Sequence, residues 1–381
     1  MSRVLLKGGA AYDVIGGGYK NLDVLVEGGK IRRMGEGLAT PDDTRLVDIT
    51  GRFVFPGFID AHSHIGVLFQ FPDSNDCNEC SSPDTRRMDI IDALRYDDPC
   101  FLENAQMGVT TAMITPGSGN VVCGQAAIVK TYAPSPFEMI VREKAAFKLA
   151  LGENPKSVYM PLNRTPMSRM GTAGVITDFI SRAVLYKNKR ENGGEIDLDF
   201  EMFLPVLNHE ICCKIHCHRA DDILTAIRIM NQFGLNYTLD HCSEGHLILD
   251  ELSEAGVPVI VGPLFMFKSK PEVKNSDPFQ AIKLNEKGIC VSISSDHNIT
   301  DSRYLGMVAG QLVKKGLPYA DAIRMLTINP ANAIGMGDRL GSLQEGRDAD
   351  LFVCDGDPLE IRTKRLMTFI GGNFVPGMEV C

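Results

Sequence analysis

The sequence predicts an α/β fold: a (β/α)8 barrel at residues 55–339, with a small β domain made from both chain ends, 1–54 and 340–381. Three observations carry this. After Pro56, strand-like and helical runs alternate, the signature of βαβ units around a parallel sheet. Before it, and again from Gly341, the chain reads as short strands punctuated by glycine turns. The length, 381 residues, suits a barrel of about 250 residues plus something smaller.

Residues 4–6, 23–26, 30–33 and 45–48 are brief apolar or alternating runs, separated by Gly16-Gly17-Gly18, Gly28-Gly29 and Pro41-Asp42-Asp43. They predict a small antiparallel sheet. The first barrel strand is predicted at 58–64 and a helix at 90–107, stopped by Gly108. Strands two, three and four follow at 109–114, 126–132 and 146–151, then a helix at 171–186 and a polar linker at 187–194. The fifth strand is 211–216. Asp221 and Asp222 open the next helix, where negative charge suits the dipole, and Gly234 closes it. Strands at 237–241, 257–261 and 289–295 complete eight, with helices at 248–255 and 278–287 between them and a helical pair at 304–315 and 319–326. Runs at 351–354, 366–370 and 373–375 return the chain to the small sheet domain.

Hydrophobic residues make up 44 %, enough for a large core. A net charge of −9 with no long basic run argues against nucleic acid as a partner. No apolar stretch of about 18 residues is free of charges and turn residues, so no membrane span is expected. The first nine residues turn polar too soon for a signal peptide. Eleven scattered cysteines, several in apolar runs, suggest buried thiols in a reducing cytoplasmic setting. Cys77-Asn78-Glu79-Cys80 is a lone CxxC without a second pair at zinc-finger spacing.

Reactive groups of such barrels lie at the C-terminal strand ends. The first strand ends in His62-Ser63-His64, two side chains on one face at i and i+2. The fourth ends in Gly152-Glu153-Asn154, the fifth in His216-Cys217-His218, the sixth in Asp240-His241 and the eighth in Asp296-His297. Six of the eight histidines thus lie at strand ends; His209 and His246 read as structural. Imidazole and carboxylate together suit Zn²⁺, and also Fe²⁺, Mn²⁺ or Ni²⁺, and an open coordination position makes such a site catalytic.

Three motifs extend this reading. Phe55-Pro56-Gly57-Phe58-Ile59-Asp60-Ala61-His62-Ser63-His64, Thr327-Ile328-Asn329-Pro330-Ala331, and the stretch from Leu340-Gly341-Ser342 to Gly346-Arg347-Asp348-Ala349-Asp350-Leu351 occur in an order that spans nearly the whole chain. In these motifs the chain resembles the amidohydrolase superfamily, more narrowly its imidazolonepropionase-like branch. The resemblance implies a TIM barrel with a small β-sandwich domain, a divalent metal site of one or two ions and a homo-oligomer. It implies His62, His64, His216, His241 and Asp296 as metal ligands, with Asp296 also as proton shuttle. Cys217 stands where the family has alanine after the fifth-strand histidine, a mild departure. At the fourth strand two candidates stay open: Glu153 at the rim, or Lys148 lower in the strand as a carboxylated bridging ligand.

The reaction expected is hydrolysis of a C–N bond in an amide, cyclic amide or peptide by a metal-activated water. Asp296 would move the proton and His241 would help polarise the carbonyl. Deamination at the same metal site is an alternative, as is a barrel subunit that binds metal without turnover. A small-molecule substrate is expected. Arg219, directly after the fifth-strand histidines, and Arg169, in the region after strand four, suit an anionic one, with His218 as a further contact; Lys156 and Arg164 lie in that same region. The glycine-rich 116–120 turn would add backbone N–H groups for an anion.

Overall fold

The computed structural model describes residues 3–68 and 75–378. Eight strands form one sheet in sequence order: β1 (Phe58–Ser63), β2 (Val109–Ile114), β3 (Val122–Lys130), β4 (Ile140–Ala150), β5 (Cys212–Cys217), β6 (Tyr237–His241), β7 (Val259–Val261) and β8 (Val291–Ile293). Alternation decides which side chains enter the lumen. Phe147 and Leu149 of β4, Cys213 and Ile215 of β5, and Tyr237 and Leu239 of β6 pack outward with the helices. The alternate residues Lys148, Lys214, His216 and Asp240 are also buried, and Lys148 and Lys214 meet Asp240 inside the barrel. Lower down, Ile59, Ala61, Met113, Ala146 and Ile260 make an apolar plug against the helix Ile328–Ala333.

The third strand departs from the expected βα repeat. β3 runs antiparallel to both β2 and β4. Its neighbours are joined to it by the short segments 115–121 and 131–139, leaving no room for a crossover helix, and a parallel crossover needs a dozen or more residues. Lys130 at its far end therefore points away from the histidine face. The predicted helix at 90–107 is also broken, into a 3-10 turn Ile90–Ala93 and a helix Pro99–Gln106. Pro99 occupies the first turn and the Asp98 side chain accepts from the Cys100 N–H, so the helix starts there rather than earlier. Conversely, the helix Arg169–Glu191 runs through most of the expected polar linker.

Among the described residues no β1–β8 ladder closes the sheet. The seam is held instead by the Asp60 carboxylate, which accepts from the hydroxyls of Ser295 and Ser302 (2.8 Å for Ser302), and by backbone bonds from Asp296 N–H to the His62 carbonyl (3.3 Å) and from His64 N–H to the His297 carbonyl (3.1 Å). Burial pushes the Asp60 carboxyl up to about 6, with the two serines pulling the other way.

Both chain ends build the small domain. One sheet orders Lys30–Gly35, Asp23–Glu27, Arg3–Lys7 and Thr44–Asp48; the other orders Asn373–Phe374, Arg365–Ile370, Leu351–Cys354, Phe53–Pro56, Ala10–Asp13 and Gly18–Asn21. Val4, Leu6, Val24, Val26, Val54, Leu351 and Phe369 form the core between them, as in a β-sandwich. The domain meets the barrel opposite the histidines: the Gly57 N–H donates to the Asp350 carbonyl, and Lys130 pairs with the Asp350 carboxylate. No helix among the described residues is long and apolar enough to cross a membrane.

Candidate metal centre

The strand ends bring His62, His64, His216, His218, His241 and Asp296 together. Ring centroids lie 5.3 Å apart for His62–His64, 4.7 Å for His62–His241, 4.5 Å for His216–His241 and 4.7 Å for His216–His218. Two sets of donor atoms each fall within 4.8 Å of one another: His62, His241 and Asp296, and His216, His218 and His241. His64 Nε2 lies 3.2 Å from Asp296 Oδ1 and His62 Nε2 lies 3.6 Å from it. Backbone conformation is unusual here. His241 (φ 74°), Cys242 (φ 44°) and Asp296 (φ 52°) all occupy the left-handed region, which is costly for residues with a Cβ and is concentrated at functional sites.

Four of the five rings are fixed from behind. His62 Nδ1 lies 2.7 Å from Asp240 Oδ2, His64 Nδ1 2.8 Å from the Thr115 carbonyl, His241 Nδ1 2.6 Å from the Gly262 carbonyl and His218 Nδ1 2.7 Å from Ser243 Oγ. A proton on Nδ1 donated to these acceptors leaves Nε2 as a bare lone pair facing the centre, the arrangement a metal-binding histidine needs. Burial holds His62, His216 and His218 well below the ordinary imidazole range and His241 also below it, so the rings are neutral. Burial alone would raise the Asp296 carboxyl, whereas positive charge on the facing side, at His241 foremost and then His64, lowers it; with the rings neutral, a bound cation would supply that charge. Neutral imidazoles around a carboxylate form a donor set that fits a divalent cation. At His216 the Nε2 accepts from Asn154 Nδ2 at 3.2 Å, so a cation there would displace that amide.

Below the rings lies a buried charge cluster. Asp240 accepts from Lys214 Nζ at 3.1 Å and Thr238 Oγ1 at 2.9 Å, and Lys148 Nζ lies 3.5 Å from both Asp240 Oδ2 and His62 Nδ1. Burial pulls Lys148 down; it would raise Asp240, but Lys214, Lys148 and His62 hold that carboxylate well below its usual range. Lys148 thus lies behind His62, against Asp240. Glu153 belongs to neither donor set. It opens the helix Glu153–Tyr159, and its carboxylate accepts from the Glu272 N–H at 3.2 Å.

The expected anion contacts are engaged elsewhere. Arg219 is paired with Asp221 at 2.8 Å and Arg169 with Asp222 at 3.0 Å. The N–H groups of Gly117 and Gly119 donate to the Cys77 carbonyl and Asn78 Oδ1, so this turn is bound to the loop after β1 rather than open to an anion. Burial pushes the Cys77 thiol up to about 12, and the ten cysteines among the described residues are free. Sequence reasoning assigned no role to Asp240, Lys270 or Glu272. Asp240 was visible as a carboxylate two residues from Thr238 on a lumen-facing strand, whereas Lys270 and Glu272 lie in an irregular loop without periodicity.

Fold and centre together define a barrel with histidines and a carboxylate converging at its C-terminal strand ends. Residues 208–376 match the Amidohydrolase family. An amidohydrolase from Thermotoga maritima has the same fold with a TM-score of 0.93 and 38 % identity, covering 98 % of this chain and 99 % of that one. Amidohydrolase tasK of Hapsidospora irregularis is 28 % identical over 92 % of this chain, which spans only 39 % of that longer protein. An imidazolonepropionase of Porphyromonas gingivalis is 26 % identical over 81 % of this chain and 76 % of its own length. The chain belongs to the amidohydrolase superfamily.

Proposed function

We propose that this protein hydrolyses a C–N bond of a small amide, cyclic amide or peptide. The observation that carries the proposal is the convergence of the bare Nε2 atoms of His62, His64 and His241 on the Asp296 carboxylate. These four, with His216, would hold the cation; the donor chemistry favours zinc. When bound, the cation supplies a Lewis acid and an acidified water, whose pKa falls from 15.7 to about 7.

The remaining work falls to the chain. Asp296 is the carboxylate grouped with His62 and His241, so it takes the proton of the attacking water and returns it to the leaving nitrogen. Thr115, Gly262 and Asp240 keep the histidine rings in the required tautomer and orientation. Burial of the cluster excludes bulk water and strengthens each of these interactions.

The test is Asp296→Asn, assayed against dipeptides, cyclic amides and N-acyl amino acids alongside the native protein. The variant is expected to fold and to lose about 100-fold or more of kcat. Near-native turnover in the variant, or no hydrolysis of any of these classes by the metal-loaded native protein, would overturn the reading.

A further inference from the structure

With Arg169, Arg219 and the 116–120 turn engaged elsewhere, a partly exposed cation at the rim beside the rings remains. Lys270 lies in the loop between β7 and β8. Its Nζ donates to Asn154 Oδ1 at 2.7 Å and pairs with Glu272 Oε1 at 2.6 Å. An ammonium has three N–H donors, so one direction is left over, and the side chain is 28 % exposed. The Glu272 oxygen it pairs with lies 3.8 Å from His218 Nε2. The Asn154 amide measures the gap: one end meets Lys270, and the other donates to His216 Nε2 at 3.2 Å and to Ser118 Oγ at 2.7 Å.

The position is built rather than incidental. Glu272 is fully buried and pairs with Lys270. Its other oxygen accepts from the Glu153 N–H at 2.8 Å, while the Glu153 carboxylate accepts from the Glu272 N–H at 3.2 Å. This reciprocal clasp ties the start of the helix Glu153–Tyr159 to the Lys270 loop. An otherwise mobile four-carbon side chain is thereby fixed at the rim, which lowers the entropy lost on binding.

We propose that Lys270 is the subsite for a substrate carboxylate, and that the substrate carries this group close to the scissile C–N bond, as the α-carboxylate of an N-acyl amino acid or of a C-terminal residue. One amide's width separates the ammonium from His216 Nε2, and such a substrate bridges that span with its carbonyl among the histidines and its carboxylate on Lys270. This assignment rests on the proposed hydrolysis for the identity of the reacting end, and it fixes the other end.

The test is calorimetric binding to the metal-loaded protein of N-acetyl-L-amino acids, each paired with its carboxamide, in the native chain, Lys270→Met and Lys270→Arg. The native protein is expected to prefer the acid. In Lys270→Met that acid-to-amide ratio should fall at least tenfold, and Lys270→Arg should restore part of it. A structural role alone would weaken both members of each pair and leave the ratio in place. A native protein that does not distinguish acid from amide, or an unchanged ratio in Lys270→Met, overturns the assignment. Acid-selective binding lost in Lys270→Met, without hydrolysis of any pair, supports the carboxylate subsite and removes the proposed reaction.

Discussion

Asp240 shows how much of the centre is decided one side chain at a time. It is fully buried, yet it stays ionised because Lys148, Lys214 and the Nδ1 proton of His62 all face it. Lys148 and Lys214 are directly opposed across β4 and β5, a like-charge pairing that only a shared counter-ion makes tolerable. Replacing Asp240 with Asn should cost about 3–5 kcal/mol, because two buried ammoniums lose their counter-charge. It should also weaken metal retention about 10- to 100-fold by releasing His62. Urea unfolding and metal titration of the variant measure the two effects separately. The strand-end positions of the histidines and Asp296 were legible in the sequence, with the i, i+2 spacing of His62 and His64 following from strand geometry; their joint role as ligands came from the family resemblance. Partners such as Asp240 and Glu272 were not, because their roles depend on which strands and loops are neighbours.

Among the elements, long periodic segments were the legible ones. The helix Tyr319–Leu326 lies where its spacing predicts, and the helix Ala220–Gln232 begins at its acidic turn. The direction of β3 was not legible: an all-apolar strand reads the same in either sense, and only the short connections on both sides impose the reversal. The β1–β8 seam was equally hidden, although Asp60 belongs to the same motif as His62 and His64. Asp60 joins the two strands that carry His62 and Asp296, so seam and centre are one structure. Ser302→Ala should cost about 1–3 kcal/mol by leaving a buried carboxylate short of a donor. Denaturant unfolding of that variant checks the value; stability within about 0.5 kcal/mol of native would mean the seam is held by packing instead.

At the scale of the whole molecule, the small domain and the centre occupy opposite ends of the barrel. The joint is electrostatic: Asp348 is buried among Lys30, Lys130 and Arg339, and Asp350 also pairs with Lys130. Burial would raise the Asp348 carboxyl, but Lys130 first, then Lys30 and Arg339, bring it below its ordinary 3.8. A carboxylate depressed in the fold adds stability above its unfolded pKa, and that stability drains away as pH falls through the lower folded value. Asp348→Asn should therefore be less stable at neutral pH, by about 3 kcal/mol, and should lose less on acidification than the native protein. Equal acid sensitivity of the two proteins in a pH series of urea midpoints would contradict this. Chain-end glycine turns and the alternation between them made the two-part architecture readable; the pairings of Lys30 and Lys130 at the joint were not, because their partners lie hundreds of residues away.

The central claim is that His62, His241 and Asp296 form one metal-binding centre. Metal content per chain, measured by elemental analysis after dialysis, tests it most directly. The native protein should retain at least one equivalent of a divalent metal, and the His62→Ala/His241→Ala double variant, shown to be folded by circular dichroism, should retain almost none. A native protein free of metal after growth and purification with zinc, or a double variant that keeps the native content, would contradict the account.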